Sequence, residues 1–143
     1  YTIYFGSEYE NEQIKIFADL VEKAHSLNMA AILWSYVVLP NWKIDENVEN
    51  LTLAFRKSYE LGADLIKINN PNGLLDISKL HALIPNLPIA IRGGEVTDNP
   101  NLINWVKDCL TKGVDGFIIG RNLWQKDNAI ELGRSVHKII FNH

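Results

Sequence analysis

The sequence predicts an α/β protein with a parallel sheet, and three observations carry that reading. Short β-branched and aromatic runs alternate with longer amphipathic segments along all 143 residues. The connections between them are brief and marked by Gly and Pro. Each strand-like run is followed by a helix-like one, the order of parallel βαβ units rather than of hairpins.

Tyr1 to Phe5 reads as a strand from its aromatic and β-branched content. After Gly6-Ser7-Glu8 a helix is expected from about Asn11 to Leu27, with Ile14, Phe17, Ala18, Val21 and Ala24 on one face. Ala30 to Val37 is a second strand. A polar loop holding Pro40 and Asn41 leads to a helix over roughly Asn47 to Glu60, closed by Gly62 as a C-cap. Asp64 to Asn69 is a third strand, followed by the turn residues Asn70-Pro71-Asn72-Gly73. A short helix from about Asp76 to Leu83 has Asp76 or Ser78 available as N-cap. Pro88 to Arg92 is a fourth strand, and Asn101 to Thr111 an amphipathic helix closed by Gly113. Val114 to Ile119 is a fifth strand, and a last helix covers about Asn128 to Phe141.

Two architectures fit five strand–helix pairs: a doubly wound open sheet, or part of a (β/α)8 barrel, which needs about 250 residues when complete. No stretch has linker composition, so a single domain over residues 1–143 is expected. A core strand that starts at Tyr1 without lead-in suggests the C-terminal part of something longer.

Composition narrows the function. The chain is 47% hydrophobic and 22% charged, with a formal charge of −3 and no block of like charges. That balance gives no footprint for nucleic acid and points to a small-molecule partner. The single cysteine, Cys109, excludes an intrachain disulfide framework and fits a reducing, cytoplasmic setting. No apolar run reaches the length of a membrane span, and no basic stretch precedes Tyr1, so no signal peptide is read there.

Side chains alternate across a strand, so shared faces can be read directly. Leu65, Lys67 and Asn69 share one face of the third strand, and Ile66 and Ile68 take the helix-packing face. In the second strand Trp34 and Tyr36 share a face, opposite Leu33 and Ser35. A lysine in the middle of a parallel strand is the most informative residue, because such strands are covered on both faces and normally apolar. Two readings stand on burial alone. Lys67 lies near the strand end, in solvent or bonded to a carboxylate; or it is desolvated, so that its neutral amine can attack a carbonyl.

Tyr36 would bring its hydroxyl near that amine at the C-terminal mouth and could move protons there. As a strand tyrosine it is equally a core aromatic with a satisfied hydroxyl, and Trp34 taken alone is more often core than site. Arg92-Gly93-Gly94 closes the fourth strand, and Gly120-Arg121-Asn122 the fifth. Glycine lets the backbone approach a ligand, and two such strand ends, each with an arginine, are a considerably better signal for a phosphate site than either alone. Each Gly element alone would mark only a turn. Glu8 and Glu95 could reach the mouth but as loop carboxylates are expected in solvent. Trp124-Gln125 is expected to pack at the rim. His25, His81, His137 and His143 have no ligand spacing, so no metal site is expected, and Cys109 reads as a buried structural thiol.

These residues resemble the archaeal-type class I fructose-1,6-bisphosphate aldolases, a family shared by archaea and bacteria. The matching stretches are Thr2-Ile3-Tyr4-Phe5-Gly6-Ser7-Glu8, Ala24-His25, Leu33-Trp34-Ser35-Tyr36, Gly62-Ala63-Asp64-Leu65-Ile66-Lys67, Gly93-Gly94 and Gly120-Arg121-Asn122-Leu123-Trp124-Gln125. The resemblance implies a (β/α)8 TIM barrel of which the chain holds strands four to eight. It implies Lys67 as the Schiff-base nucleophile, Tyr36 as the proton-transferring tyrosine and Trp34 as an active-site tryptophan. Gly93, Gly94, Gly120 and Arg121 then bind substrate phosphate. No metal or organic cofactor is implied, because the iminium is the electron sink. The implied reaction is the fructose 1,6-bisphosphate cleavage of glycolysis and its gluconeogenic reverse, giving dihydroxyacetone phosphate and glyceraldehyde 3-phosphate. A homo-oligomer is expected by the same analogy.

Two departures from the family stand out. Its catalytic aspartate, on the first barrel strand, has no counterpart here. Position 92 is usually small, whereas Arg92 either adds a phosphate contact or marks a different substrate. One rival is a related Schiff-base lyase or transferase acting on another phosphosugar or a diketo phosphate, thiolase-like relatives included. The other is a non-catalytic five-stranded α/β ligand-binding domain, which requires Lys67 to be exposed or ion-paired and Tyr36 not to be beside it.

Overall fold

The computed structural model describes residues 1–45, 47–69 and 77–141. In chain order it contains β1 (Thr2–Phe5), α1 (Glu10–Ser26), β2 (Ile32–Val37), α2 (Val48–Glu60), β3 (Leu65–Ile68) and α3 (Ile77–Leu83). There follow β4 (Ile89–Arg92), α4 (Asn99–Thr111), β5 (Gly116–Ile118), α5 (Arg121–Trp124) and α6 (Ala129–Phe141). All neighbouring strands pair in parallel, in the order β1-β2-β3-β4-β5.

That order decides between the two architectures. A doubly wound sheet reverses its strand order at a switch point, and this sheet never reverses. Right-handed crossovers that always step the same way put every helix on the same face. Ile3, Phe5, Leu33, Ile66, Ile68, Ile89 and Ile91 accordingly form one core with Phe17, Val21, Leu51, Phe55, Ile77 and Leu80 from the helices. The other face carries Tyr4, Trp34, Tyr36, Lys67, Ala90 and Arg92. This is a segment of a (β/α) barrel, with that second face as the barrel interior.

The expected elements are present, with ends displaced for identifiable reasons. Helix α4 starts at Asn99 rather than Asn101, because the Asp98 side chain accepts from the Asn101 N–H as N-cap and Pro100 fills the first turn. Ser78 lies inside α3 and does not cap it. Helix α5 has no counterpart in the sequence pattern, since a four-residue turn is too short to show helical periodicity. The turn at 70–73, the alternative cap Asp76 and His143 lie outside the described residues. No helix among the described residues is long and apolar enough to cross a membrane.

The strands are locked at their N-terminal ends by a local motif that occurs twice. Gly62-Ala63-Asp64 precedes β3, and Gly113-Val114-Asp115 precedes β5. Both glycines have φ +86° and close the preceding helix, their N–H groups donating to the Tyr59 and Leu110 carbonyls. The next residue, Ala63 or Val114, is buried. Each aspartate then grips the start of the neighbouring strand twice. Asp64 donates its N–H to the Ala31 carbonyl (2.9 Å) and accepts from the Ala31 N–H at Oδ2 (2.7 Å). Asp115 does the same with Ile89, at 3.1 and 2.8 Å. A histidine from the last turn of the helix before that strand completes each clamp: His25 Nε2 lies 2.8 Å from Asp64 Oδ2, and His81 Nε2 3.0 Å from Asp115 Oδ2.

The Ala31 N–H, and next His25, hold the Asp64 carboxyl below its ordinary pKa of 3.8. A carboxyl with a lowered folded pKa adds stability above the ordinary value, and that contribution is lost as pH falls through the folded value. Because the Asp64 side chain is 42% exposed, its ionic part is screened and the backbone hydrogen bond carries most of the effect. Asp64→Ala is therefore expected to cost about 1 kcal/mol near neutral pH, with the deficit shrinking in acid. Urea midpoints measured across the acid range check this, and a deficit that does not change with pH would count against it.

Candidate active site

Lys67 reaches the interior face because strand alternation leaves it no other direction: Ile66 and Ile68 on either side are at most 1% exposed in the helix-facing core. Lys67 itself is only 6% exposed. Its strand partner on β2 is Trp34, and its Nζ lies 3.1 Å from the centroid of the Trp34 ring. Trp34 is 38% exposed, so it covers the amine like a shelf rather than filling the core. Among the described residues no carboxylate or carbonyl accepts a hydrogen bond from this amine. Burial, and next the Arg92 charge, hold the Lys67 amine below the ordinary lysine range. The lysine is thus neither exposed nor ion-paired among the described residues.

A cavity of about 360 Å³ opens above it at the C-terminal ends of β4 and β5. Of the residues singled out from sequence, Trp34, Lys67, Arg92, Gly93, Gly94, Gly120 and Arg121 all line it, together with Ile118, Ile119, Asn122 and Trp124. Among the described residues its charged lining is Lys67, Arg92 and Arg121, with no carboxylate. Glu8 and Glu95 are exposed and lie outside it. Such a cavity attracts an anion and disfavours a cation.

Tyr36 is not in this lining. It sits two residues beyond Trp34 on the same face, one step nearer the mouth, with its ring stacked on Tyr4 at 5.3 Å. Strand register pairs Trp34 with Lys67, and the Trp34 ring lies directly against the amine. Cys109 is buried and its thiol is pushed up to about 11, which leaves it unreactive. Among the described residues no group of three or more His, Cys, Asp or Glu could hold a metal ion.

The glycines serve two different needs. A Cβ on Gly93 would lie 3.2 Å from the Ile119 backbone and 3.1 Å from its side chain, so glycine lets the ends of β4 and β5 close on each other. Gly94 has open space around it but φ +65°, which favours glycine. At Gly120 the exposed Trp124 ring occupies the place of a Cβ, which sets that tryptophan at the cavity rim.

Asn122, 2% exposed, is the residue that sequence reasoning passed over. Its Nδ2 donates to the Gly93 and Glu95 carbonyls, both at 2.7 Å, and its Oδ1 accepts from the Thr97 N–H at 2.8 Å. One side chain on α5 thereby ties down the whole loop after β4. An asparagine directly after a Gly-Arg strand end was the available signal, but its partners lie 25 to 29 residues away.

A family model for DeoC/LacD family aldolases matches residues 1–126. The chain is 30% identical over 141 residues to a class 1 fructose-bisphosphate aldolase of Halobacterium salinarum, covering 99% of this chain and 54% of that protein. It is 26% identical to 2-amino-3,7-dideoxy-D-threo-hept-6-ulosonate synthase 1 of Archaeoglobus fulgidus, covering 94% of this chain and 49% of the relative. It also superposes, with a TM-score of 0.83 and 26% identity, on an archaeal fructose-1,6-bisphosphate aldolase whose catalytic lysine carries the carbinolamine intermediate. That alignment covers 98% of this chain and 56% of the other. The chain spans about half the length of these relatives.

Asn122→Asp preserves shape but turns both donor bonds into oxygen facing oxygen. It is expected to lower stability by about 2–3 kcal/mol and to loosen the loop after β4. Chemical denaturation reads the first, and faster amide exchange at Thr97 the second.

Proposed function

The chain belongs to the DeoC/LacD aldolase family, and from that premise we propose that it carries the Schiff-base centre of a class I aldolase, with Lys67 as nucleophile. One observation carries this reading: a buried strand lysine with no acid partner among the described residues, at the floor of a cationic cavity. A neutral amine there adds to a ketone carbonyl, and the carbinolamine loses water to give a protonated imine. That iminium accepts the electron pair of the breaking C–C bond while the hydroxyl on the departing aldehyde gives up its proton. Tyr36, on the same face and nearer the mouth, is the group proposed to relay these protons.

The substrate class is a phosphorylated ketose, with Arg92 and Arg121 as cations for the phosphate and Gly93, Gly94 and Gly120 giving backbone access. Fructose 1,6-bisphosphate is the leading substrate. Arg92 keeps a second reading in play, in which a relative of the same chemistry acts on another phosphosugar. A single domain, a cytoplasmic setting and a homo-oligomer belong to the same proposal.

Borohydride reduction in the presence of dihydroxyacetone phosphate is expected to leave a stable adduct on Lys67, found by peptide mass mapping. Failure of the folded protein to label would sink the lysine mechanism. Tyr36→Phe is expected to lower turnover by about 10²-fold while imine trapping persists. Cleavage assays across several ketose phosphates separate fructose 1,6-bisphosphate from its rivals.

A further inference from the structure

Arg92 is placed for a task beyond phosphate contact. Lys67 pairs in register with Ala90, and Arg92 follows two residues later on the same strand face. Its Cα therefore lies one strand over, about 5 Å away laterally, and about 7 Å nearer the mouth. Both side chains line the same cavity. The surroundings of the Lys67 amine are otherwise uncharged on most sides. β2 presents Trp34, with the Tyr36 phenol one step further out, and Asn69 follows on Lys67's own strand. β4 presents Arg92, and the loop after β5 presents Arg121. No carboxylate lines the cavity among the described residues.

This charge count creates a problem that Arg92 resolves. A phosphate dianion entering the cavity would favour the protonated amine, and a protonated amine cannot attack a carbonyl. A single arginine would leave the dianion half-compensated. Two guanidinium groups match it, so the occupied cavity presents no net negative charge to the amine.

Resting on the Schiff-base reading above, we propose that Arg92 is a positioning residue for charge as well as a phosphate contact: it balances the phosphate dianion so that Lys67 stays a neutral nucleophile when substrate is bound. The repulsion that Arg92 already exerts on the Lys67 ammonium in the empty cavity runs in the same direction. The substrate class that fits is a ketone whose carbonyl and dianionic phosphate belong to one small molecule, since both must reach the same cavity.

The test reads Lys67 directly and needs no aldol chemistry. Competitive acetylation with acetic anhydride across pH, resolved at the Lys67 peptide, gives the pH at which the amine becomes nucleophilic. It is run on the full chain as wild type, Arg92→Gln and Arg92→Lys, with and without inorganic phosphate. Arg92→Gln is expected to move the Lys67 midpoint to higher pH both without phosphate and with phosphate bound, so that the phosphate-bound variant has the highest midpoint of the set. Arg92→Lys keeps the charge and is expected to restore the wild-type midpoint. Identical midpoints in wild type and Arg92→Gln, with only phosphate affinity changed, would make Arg92 a plain anion contact and overturn the proposal. Borohydride trapping of dihydroxyacetone phosphate by the wild type fails only if the Schiff-base reading is wrong, so the two failures are distinct.

Discussion

The site is organised around the cost of burying one amine. An ammonium in a parallel strand costs several kcal/mol unless something compensates it, and no carboxylate among the described residues does so for Lys67. Packing prevents the escape that an exposed lysine would take. Ile66 and Ile68 fix the strand from the helix side, and Trp34 lies over the amine from the neighbouring strand. With movement and pairing both closed, the remaining response is to give up the proton more readily. In the proposed mechanism, reactivity follows from the placing of a polar group where the sheet offers it little solvation.

Charge is sorted along the strands in a way that protects this arrangement. Asp64 and Asp115 stand at the N-terminal ends of β3 and β5, each carboxylate occupied by one backbone N–H and a histidine. Asp64 is three residues before Lys67, about 10 Å along an extended chain, with its carboxylate engaged in the opposite direction. Arg92 and Arg121 gather at the C-terminal ends. The acid end sets register and stability, and the basic end keeps an open, cationic cavity. Asn122 is the counterpart of the clamps at the upper end. It uses an uncharged amide, which holds the loop after β4 without adding a carboxylate to the mouth.

What could be read from sequence follows from how local each signal is. Strand alternation put Lys67 opposite Ile66 and Ile68, and Trp34 opposite Leu33 and Ser35, and the burial pattern agrees. Glycine and arginine at successive strand ends located the cavity. The clamps leave no sequence signal, because His25 and Asp64 are 39 residues apart and neither has a local reason to meet the other. Their repetition was hidden by a three-residue motif shorter than any window that detects repeats. Tyr36 against Trp34 shows a finer limit. Both were known to share a face, but only strand register decides which of them meets the amine, and register is a property of the pair.

Trp34 sharpens the account of the lysine, because its effect has the opposite sign to that of burial and of Arg92. An aromatic face attracts a cation by about 0.5–2 kcal/mol, so the ring alone would favour the ammonium. In the proposed reaction the attacking amine is neutral, whereas the protonated imine that follows is cationic. The ring therefore contributes little to the nucleophile and more to the intermediate. This differential is what lowers a barrier, since equal stabilisation of both states would not. Arg92 acts on the opposite side of the same step, disfavouring a cation at the lysine before attack and meeting phosphate negative charge once substrate is bound. A ring in contact and a guanidinium one strand over thus divide the work. The ring stabilises the charge that the reaction must create, and the guanidinium removes the charge that would prevent it from starting.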